Sequence, residues 1–224
     1  ISGGGYIITG KTNAFGAGSY DIFLMKTDAS GNIVWSKTYG SNLVEDGRCV
    51  KQTDDGGFIV VGATNGFSLP GNTNDVYLIK TDSAGNLLWS KLYGTPYDDY
   101  GNSIEQTSDG GYIIGGYSRI SNGGQYHAYM IKTKPNGDTL WTRLYGMMCI
   151  SKGYCVHQTT DGGYVLSGEI CGGGEGANPY MDMYLLKTDS NGYSGCSESS
   201  VATLVYDDTT LVSNAPFVTM TGGI

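Results

Sequence analysis

Residues 56–62 read Gly56-Gly57-Phe58-Ile59-Val60-Val61-Gly62, and the phrase recurs three times. Its copies are Gly4-Gly5-Tyr6-Ile7-Ile8-Thr9-Gly10, Gly110-Gly111-Tyr112-Ile113-Ile114-Gly115-Gly116 and Gly162-Gly163-Tyr164-Val165-Leu166-Ser167-Gly168. The second glycines fall at 5, 57, 111 and 163, so the steps are 52, 54 and 52 residues. Two more series keep that step. One is Lys26-Thr27-Asp28, Lys80-Thr81-Asp82, Lys132-Thr133-Lys134 and Lys187-Thr188-Asp189. The other is Trp35, Trp89 and Trp141, each followed four residues later by Tyr-Gly. Three markers with one period make the chain a repeat array. The units lie near 1–40, 41–94, 95–146 and 147–196, and a β-prone tail spans 197–224.

Each unit reads as four short strands. The first is Cys49 to Thr53, matched by Ser103 to Thr107 and Cys155 to Thr159. An Asp-Gly-Gly turn follows, at Asp55, Asp109 and Asp161, where glycine supplies the positive φ of a tight hairpin. The second strand is the apolar phrase itself. After a loop of uneven length, the third runs from Asp75 to Lys80 (Asp21 to Lys26, His127 to Lys132, Asp182 to Lys187). A turn such as Asp82 to Asn86 leads into the fourth, Leu87 to Tyr93. Val, Ile, Tyr and Trp dominate these runs, and all favour strands. Runs such as Val76-Tyr77-Leu78-Ile79 are apolar on both faces and must be covered on both. Sheets stacked blade on blade meet that demand. The expected fold is all-β, a β-propeller of four-stranded antiparallel blades.

Composition narrows the function classes. Gly contributes 37 of 224 residues, well above the usual share, yet it is not every third residue, so collagen is excluded. Hydrophobic residues at 39% and 18 Tyr argue against disorder. The net charge is -8, from 13 basic and 21 acidic residues, and no cationic stripe is present. That disfavours a nucleic-acid groove and an anionic membrane surface. No apolar run approaches the roughly 20 residues that span a bilayer. Ile1 does not open a basic-then-apolar stretch, so export would rely on a signal outside these residues.

The order strand, Asp-Gly turn, strand ending in Gly, long loop, strand, turn and Trp strand resembles the kelch layout. Gly115-Gly116 reproduces its double glycine, whereas the other three units keep only the second one. Asp-Gly-Gly-Tyr-Ile-Ile, Lys-Thr-Asp-x-x-Gly-Asn and Trp-x-Lys-x-Tyr-Gly also resemble repeats of large secreted or cell-surface proteins of bacteria (the bacteroidete type) and archaea. The resemblance covers residues 1 to about 196 and implies an extracellular propeller. It carries no activity with it, and no sorting domain of the kind many such bacterial proteins carry is evident.

The ends lie out of register with the units. Ile1 aligns with Thr53, so unit one lacks a first strand, and unit four lacks its Trp strand after Asn191-Gly192. Two readings follow. The chain is a fragment of a larger ring, or the tail pieces Val201 to Tyr206 and Phe217 to Thr221 supply the missing strands and close a four-bladed one.

Catalytic signatures are missing. His127 and His157 sit at different repeat positions and read as drift. No Gly-x-Ser-x-Gly elbow, phosphate loop or zinc-protease helix occurs. Cys49 and Cys155 share a repeat position and read as small residues in a crowded inner strand. Cys171 and Cys196 follow adjacent strands and are the disulfide candidates, and Cys-x2-Cys metal spacing is absent. The turns at Asp28 and Asp82 offer one acid each, too few for calcium. Lys26, Lys80, Lys132 and Lys187 are expected to pair with a repeat Asp or a turn carbonyl, not to gather an anion. No metal, cofactor or catalytic residue is assigned.

Variation is concentrated between the second and third strands, over 11–20, 63–74, 117–126 and 169–181. These segments carry Phe15, Tyr20, Phe67, Tyr117, Arg119, Tyr126 and Tyr180 among Gly, Asn and Ser. Loops on a rigid scaffold carry function, and aromatics with adaptable polar neighbours suit sugars or protein surfaces. The expectation is a noncatalytic extracellular module for binding or assembly at a cell surface. Its partners are protein, glycan or further copies, with no nucleic acid and no membrane insertion. The alternatives are a lectin-like or sugar-active domain on the variable-loop face, and a subunit of a surface filament.

Overall fold

A computed structural model describes residues 1–65, 73–146, 150–171, 181–195, 198–200, 204–207 and 211–214. Every regular element among them is a strand. Sheet I holds β1 (Ile7–Thr12), β2 (Asp21–Thr27) and β3 (Ile33–Gly40). Sheet II holds β4 (Glu45–Gln52), β5 (Phe58–Thr64), β6 (Asp75–Thr81) and β7 (Leu87–Gly94). Sheet III holds β8 (Asp99–Gln106), β9 (Tyr112–Arg119), β10 (Tyr126–Thr133) and β11 (Thr139–Tyr145). Sheet IV holds β12 (Ser151–Gln158), β13 (Tyr164–Cys171) and β14 (Met181–Thr188). The tail adds β15 (Glu198–Ser200), β16 (Leu204–Asp207) and β17 (Leu211–Asn214). All strands within these sheets pair antiparallel.

Two turn chemistries set the register. At the first hairpin Gly56 takes φ 78, Thr53 Oγ1 donates to Asp55 Oδ1, and that oxygen accepts the Gly57 N–H. Asp109 and Asp161 repeat the arrangement. Lys80 Nζ closes it at 2.8 Å from Asp55 and 3.0 Å from the Thr81 carbonyl. Lys132 with Asp109 and Lys187 with Asp161 do the same, as the repeat led us to expect. In unit one the aspartate is replaced by Gly3, and Lys26 lies over the Phe58 ring. At the second turn Asp28 and Asp82 accept N–H bonds from their own loops. Their carboxylates are therefore used within the turn.

The inner strands β4, β8 and β12 begin four residues earlier than their apolar pattern suggests. A bulge after Gly47, Gly101 and Gly153 hides the alternation. Close approach is the reason. A Cβ on Gly62, Gly116 or Gly168 would collide with the carbonyl oxygen of Asp46, Tyr100 or Lys152 on the neighbouring inner strand.

The sheets stack face to face in chain order. Ile22, Leu24 and Tyr39 of sheet I pack on Val60, Tyr77, Ile79 and Leu92 of sheet II. The opposite face of sheet II presents Ile59, Val61, Val76 and Leu78 to Ile104, Tyr112, Ile114 and Tyr129. Ile113, Ala128, Met130 and Tyr145 then meet Val156, Tyr164, Leu166 and Leu186 of sheet IV. Burial of this kind stabilises by about 25 cal/mol per Å² of apolar surface. Each joint is also clamped. Trp35, Trp89 and Trp141 stand edge-on to Phe58, Tyr112 and Tyr164 of the next sheet, with centroids 5.8, 6.1 and 5.7 Å apart. Tyr39, Tyr93 and Tyr145 donate their hydroxyls to the carbonyls of Gly85, Gly137 and Gly192, at 2.6, 2.6 and 2.8 Å.

Among the described residues, no tail strand takes the place of the Trp strand of sheet IV. It runs back along the outer edges, with β15 on β11, β16 on β7 and β17 on β3. Glu198, Val205 and Val212, spaced seven residues apart, are the register partners of Tyr145, Tyr93 and Tyr39. The expected piece from Val201 to Tyr206 overlaps β16, and the one from Phe217 to Thr221 lies outside the described residues. Among the described residues the two ends of the stack stay uncovered: Tyr6, just before β1, is 61% exposed, and Met183 on sheet IV 89%. Among the described residues no helix is long and apolar enough to cross a membrane.

Candidate binding site

Three of the expected binding residues meet at one end of sheet III. The hairpin of β9 and β10 continues past its closing glycine, pairing Ala128 with Tyr117 and Tyr126 with Arg119. These residues therefore stand on strands and not in a loop, because the ladder runs out to Arg119 before the chain turns. Ring centroids of Tyr117 and Tyr126 are 5.1 Å apart, and Tyr100 at the start of β8 joins them at 4.9 and 6.2 Å. All three rings are half-buried.

Cations from three sheets surround the rings. Arg48 of β4 lies 4.8 Å from the Tyr100 centroid, and Arg119 lies 4.5 Å from that of Tyr126. Lys152 of β12 approaches Tyr117 and Tyr126 at 5.6 and 6.0 Å. Each cation is also matched to an acid: Arg48 to Asp46 at 3.2 Å, Arg119 to Asp98 at 3.3 Å and Lys152 to Glu169 at 3.1 Å. The guanidinium of Arg119 also donates to the Tyr126 hydroxyl at 2.9 Å, while its buried Nε has no partner among the described residues. Asn74 bridges Asp98 at 3.0 Å and the Tyr100 hydroxyl at 2.8 Å. The inner strands are tied by Arg48 to Asn102 at 2.8 Å and by Asn102 to the Gly153 carbonyl at 2.7 Å.

Burial, and then the Asp98 charge, push the Tyr100 and Tyr126 hydroxyls above the usual tyrosine range. Tyr154 is pushed up to about 12 by burial and by its bond to Glu169. These phenols stay protonated at neutral pH, so the site offers neutral hydroxyls, flat ring faces and balanced ion pairs. Such a surface can hydrogen-bond and stack on a polar ligand.

The other expected residues lie elsewhere. Tyr20 sits beneath Lys11, 5.5 Å from its centroid, and bridges to Val44. Phe15 is half-buried in the loop before it. Phe67 and Tyr180 lie outside the described residues. His127 is buried with Nδ1 3.4 Å from the Gly146 carbonyl, and His157 is exposed, 2.6 Å from Glu105. Cys171 is disulfide-bonded, and Cys49 and Cys155 are free thiols. Cys196, its expected partner, lies outside the described residues.

Sequence reasoning missed Tyr100, Arg48, Lys152, Asn74 and Asp98. A signal existed: the repeat position held by Asp46, Tyr100 and Lys152 changes chemistry in every unit. No family model matches the chain, and no curated protein matches it.

Proposed function

We propose that the chain is a noncatalytic, kelch-like β-propeller module that acts in binding or assembly at a cell surface, outside the cell. The face-to-face stack of repeated sheets supports the propeller reading, and the repeat phrases support the extracellular one. The observation that carries the binding reading is the cluster of Tyr100, Tyr117 and Tyr126 ringed by Arg48, Arg119 and Lys152. Its acids are neutralised by their partners, which favours recognition over proton transfer. No nucleic-acid or membrane partner is proposed.

Within that reading a glycan ligand is favoured. Sugar rings stack on tyrosine faces, and their hydroxyls match the Asn74, Tyr and Arg donors. A glycan array probed with the chain and with Tyr117→Ala/Tyr126→Ala tests this. Selective glycan signals lost in the double variant are expected. No glycan signal, or signals retained in the variant, would leave protein binding or filament assembly as the function.

A further inference from the structure

Sheet I ends on an edge and a face whose counterparts are filled three times within this molecule. Gly10 occupies the repeat position of Gly62, Gly116 and Gly168. At those three a side chain would strike the carbonyl of an adjacent inner strand, so glycine is required. A side chain on Gly10 would meet nothing within 4 Å. Gly31 repeats the contrast. At its counterparts Gly85, Gly137 and Gly192 a Cβ would lie 3.0, 3.1 and 2.8 Å from a tryptophan ring of the preceding sheet, whereas at Gly31 it would meet nothing. Tyr6 completes the set. Phe58, Tyr112 and Tyr164 are buried beneath those tryptophans, and Tyr6 stands 61% exposed. Among the described residues no strand pairs the free edge of β1.

We infer that the β1 edge, with Tyr6 and the Gly31 carbonyl, is a socket for a further repeat of this same kind, entering as a Trp strand followed by an inner strand. The inner strand adds to β1 with its carbonyl over Gly10. The tryptophan covers Tyr6, and the tyrosine four residues later donates to the Gly31 carbonyl. This extends the joints already seen between sheets I and II, II and III, and III and IV. A folded second copy is a poor occupant, because its tryptophans on β3, β7 and β11 are already engaged. The partner is a polypeptide that carries the repeat with such a strand pair unengaged. Addition of a strand to an open edge gives main-chain bonds, and the aromatic pocket gives selectivity.

The probe is a fluorescent peptide with the sequence of residues 87–107, which spans Trp89, Tyr93 and the inner strand of sheet III. Saturable anisotropy on titration with the intact chain is expected. Gly10→Val should bind at least about tenfold more weakly while unfolding at an unchanged temperature, since open space surrounds the site. A peptide with Trp89→Ala tests the same geometry on unaltered protein and should also lose at least about tenfold. No saturable binding, equal binding by Gly10→Val, or indifference to the Trp89→Ala peptide change would overturn the socket. So would self-association of the chain that Gly10→Val leaves intact.

Discussion

The hydroxyl of Tyr93 reaches across from sheet II and donates to the carbonyl of Gly137 in sheet III, at 2.6 Å. Tyr93 is completely buried, so the bond is made away from water. Tyr93→Phe removes one buried donor and leaves that carbonyl to the remaining groups. A loss of about 1–3 kcal/mol is expected in urea unfolding. Tyr39→Phe and Tyr145→Phe should cost similar amounts, because the same bond recurs at each joint.

Glycines on the second strands should behave unequally. Gly116→Ala places a methyl against the Tyr100 carbonyl, and backbone cannot move aside cheaply. A cost of about 2–3 kcal/mol is expected. Gly10→Ala should fall within about 0.5 kcal/mol of the parent, as an open surface change does. Equal costs at the two positions, read from chemical denaturation, would contradict the packing described.

Stability should fall as pH rises from about 4 to 7. Burial raises Asp99 to about 7 against the pull of Ser118 and of the Thr95 N–H and hydroxyl. Burial raises Glu45 in the same way. A group raised in the folded state favours folding below its unfolded value and loses that advantage as pH climbs through the folded one. Asp55 and Asp109 act in the opposite sense. Partial burial pushes them up, but Lys80 or Lys132, a threonine hydroxyl and a glycine N–H outweigh it and bring each to about 2. Their contribution is present above the ordinary carboxylate range and is lost as pH drops toward 2. Urea midpoints should therefore peak at about pH 4–5, and Asp99→Asn should flatten the neutral-side decline. A midpoint higher at pH about 7.5 than at pH about 4.5 would contradict the assignment.

Thiol labelling should separate the cysteines. Cys155 is exposed and Cys49 is partly buried against the core between sheets II and III. Mass spectrometry after brief alkylation should find Cys155 modified first, and Cys171 protected until a reductant is added.

The repeat phrases told most of the strand plan, because apolar alternation and Asp-Gly turns are local. Asp75 to Thr81 could be read almost to the residue, whereas the strand from Phe58 was read as closing at Gly62 and runs on to Thr64. The start of β4 at Glu45 could not, since the bulge after Gly47 breaks the alternation. Tyr117, Arg119 and Tyr126 were legible as binding candidates through their variable setting. Arg48, Tyr100 and Lys152 were not, because they reach the site from strands of fixed length on three different sheets. The pairing of Leu211 with Gly40 has no local trace, as strand edges do not advertise their partners in sequence.

The retrograde course of the tail has a consequence for biosynthesis. On a ribosome, residue 40 emerges long before residue 211, its eventual neighbour. The tryptophan-bearing rim of each module is thus made first and sealed last, in an order opposite to its appearance. A nascent chain must carry three bare ribbons until residues 198–214 leave the exit tunnel, which is the interval when a chaperone would matter most.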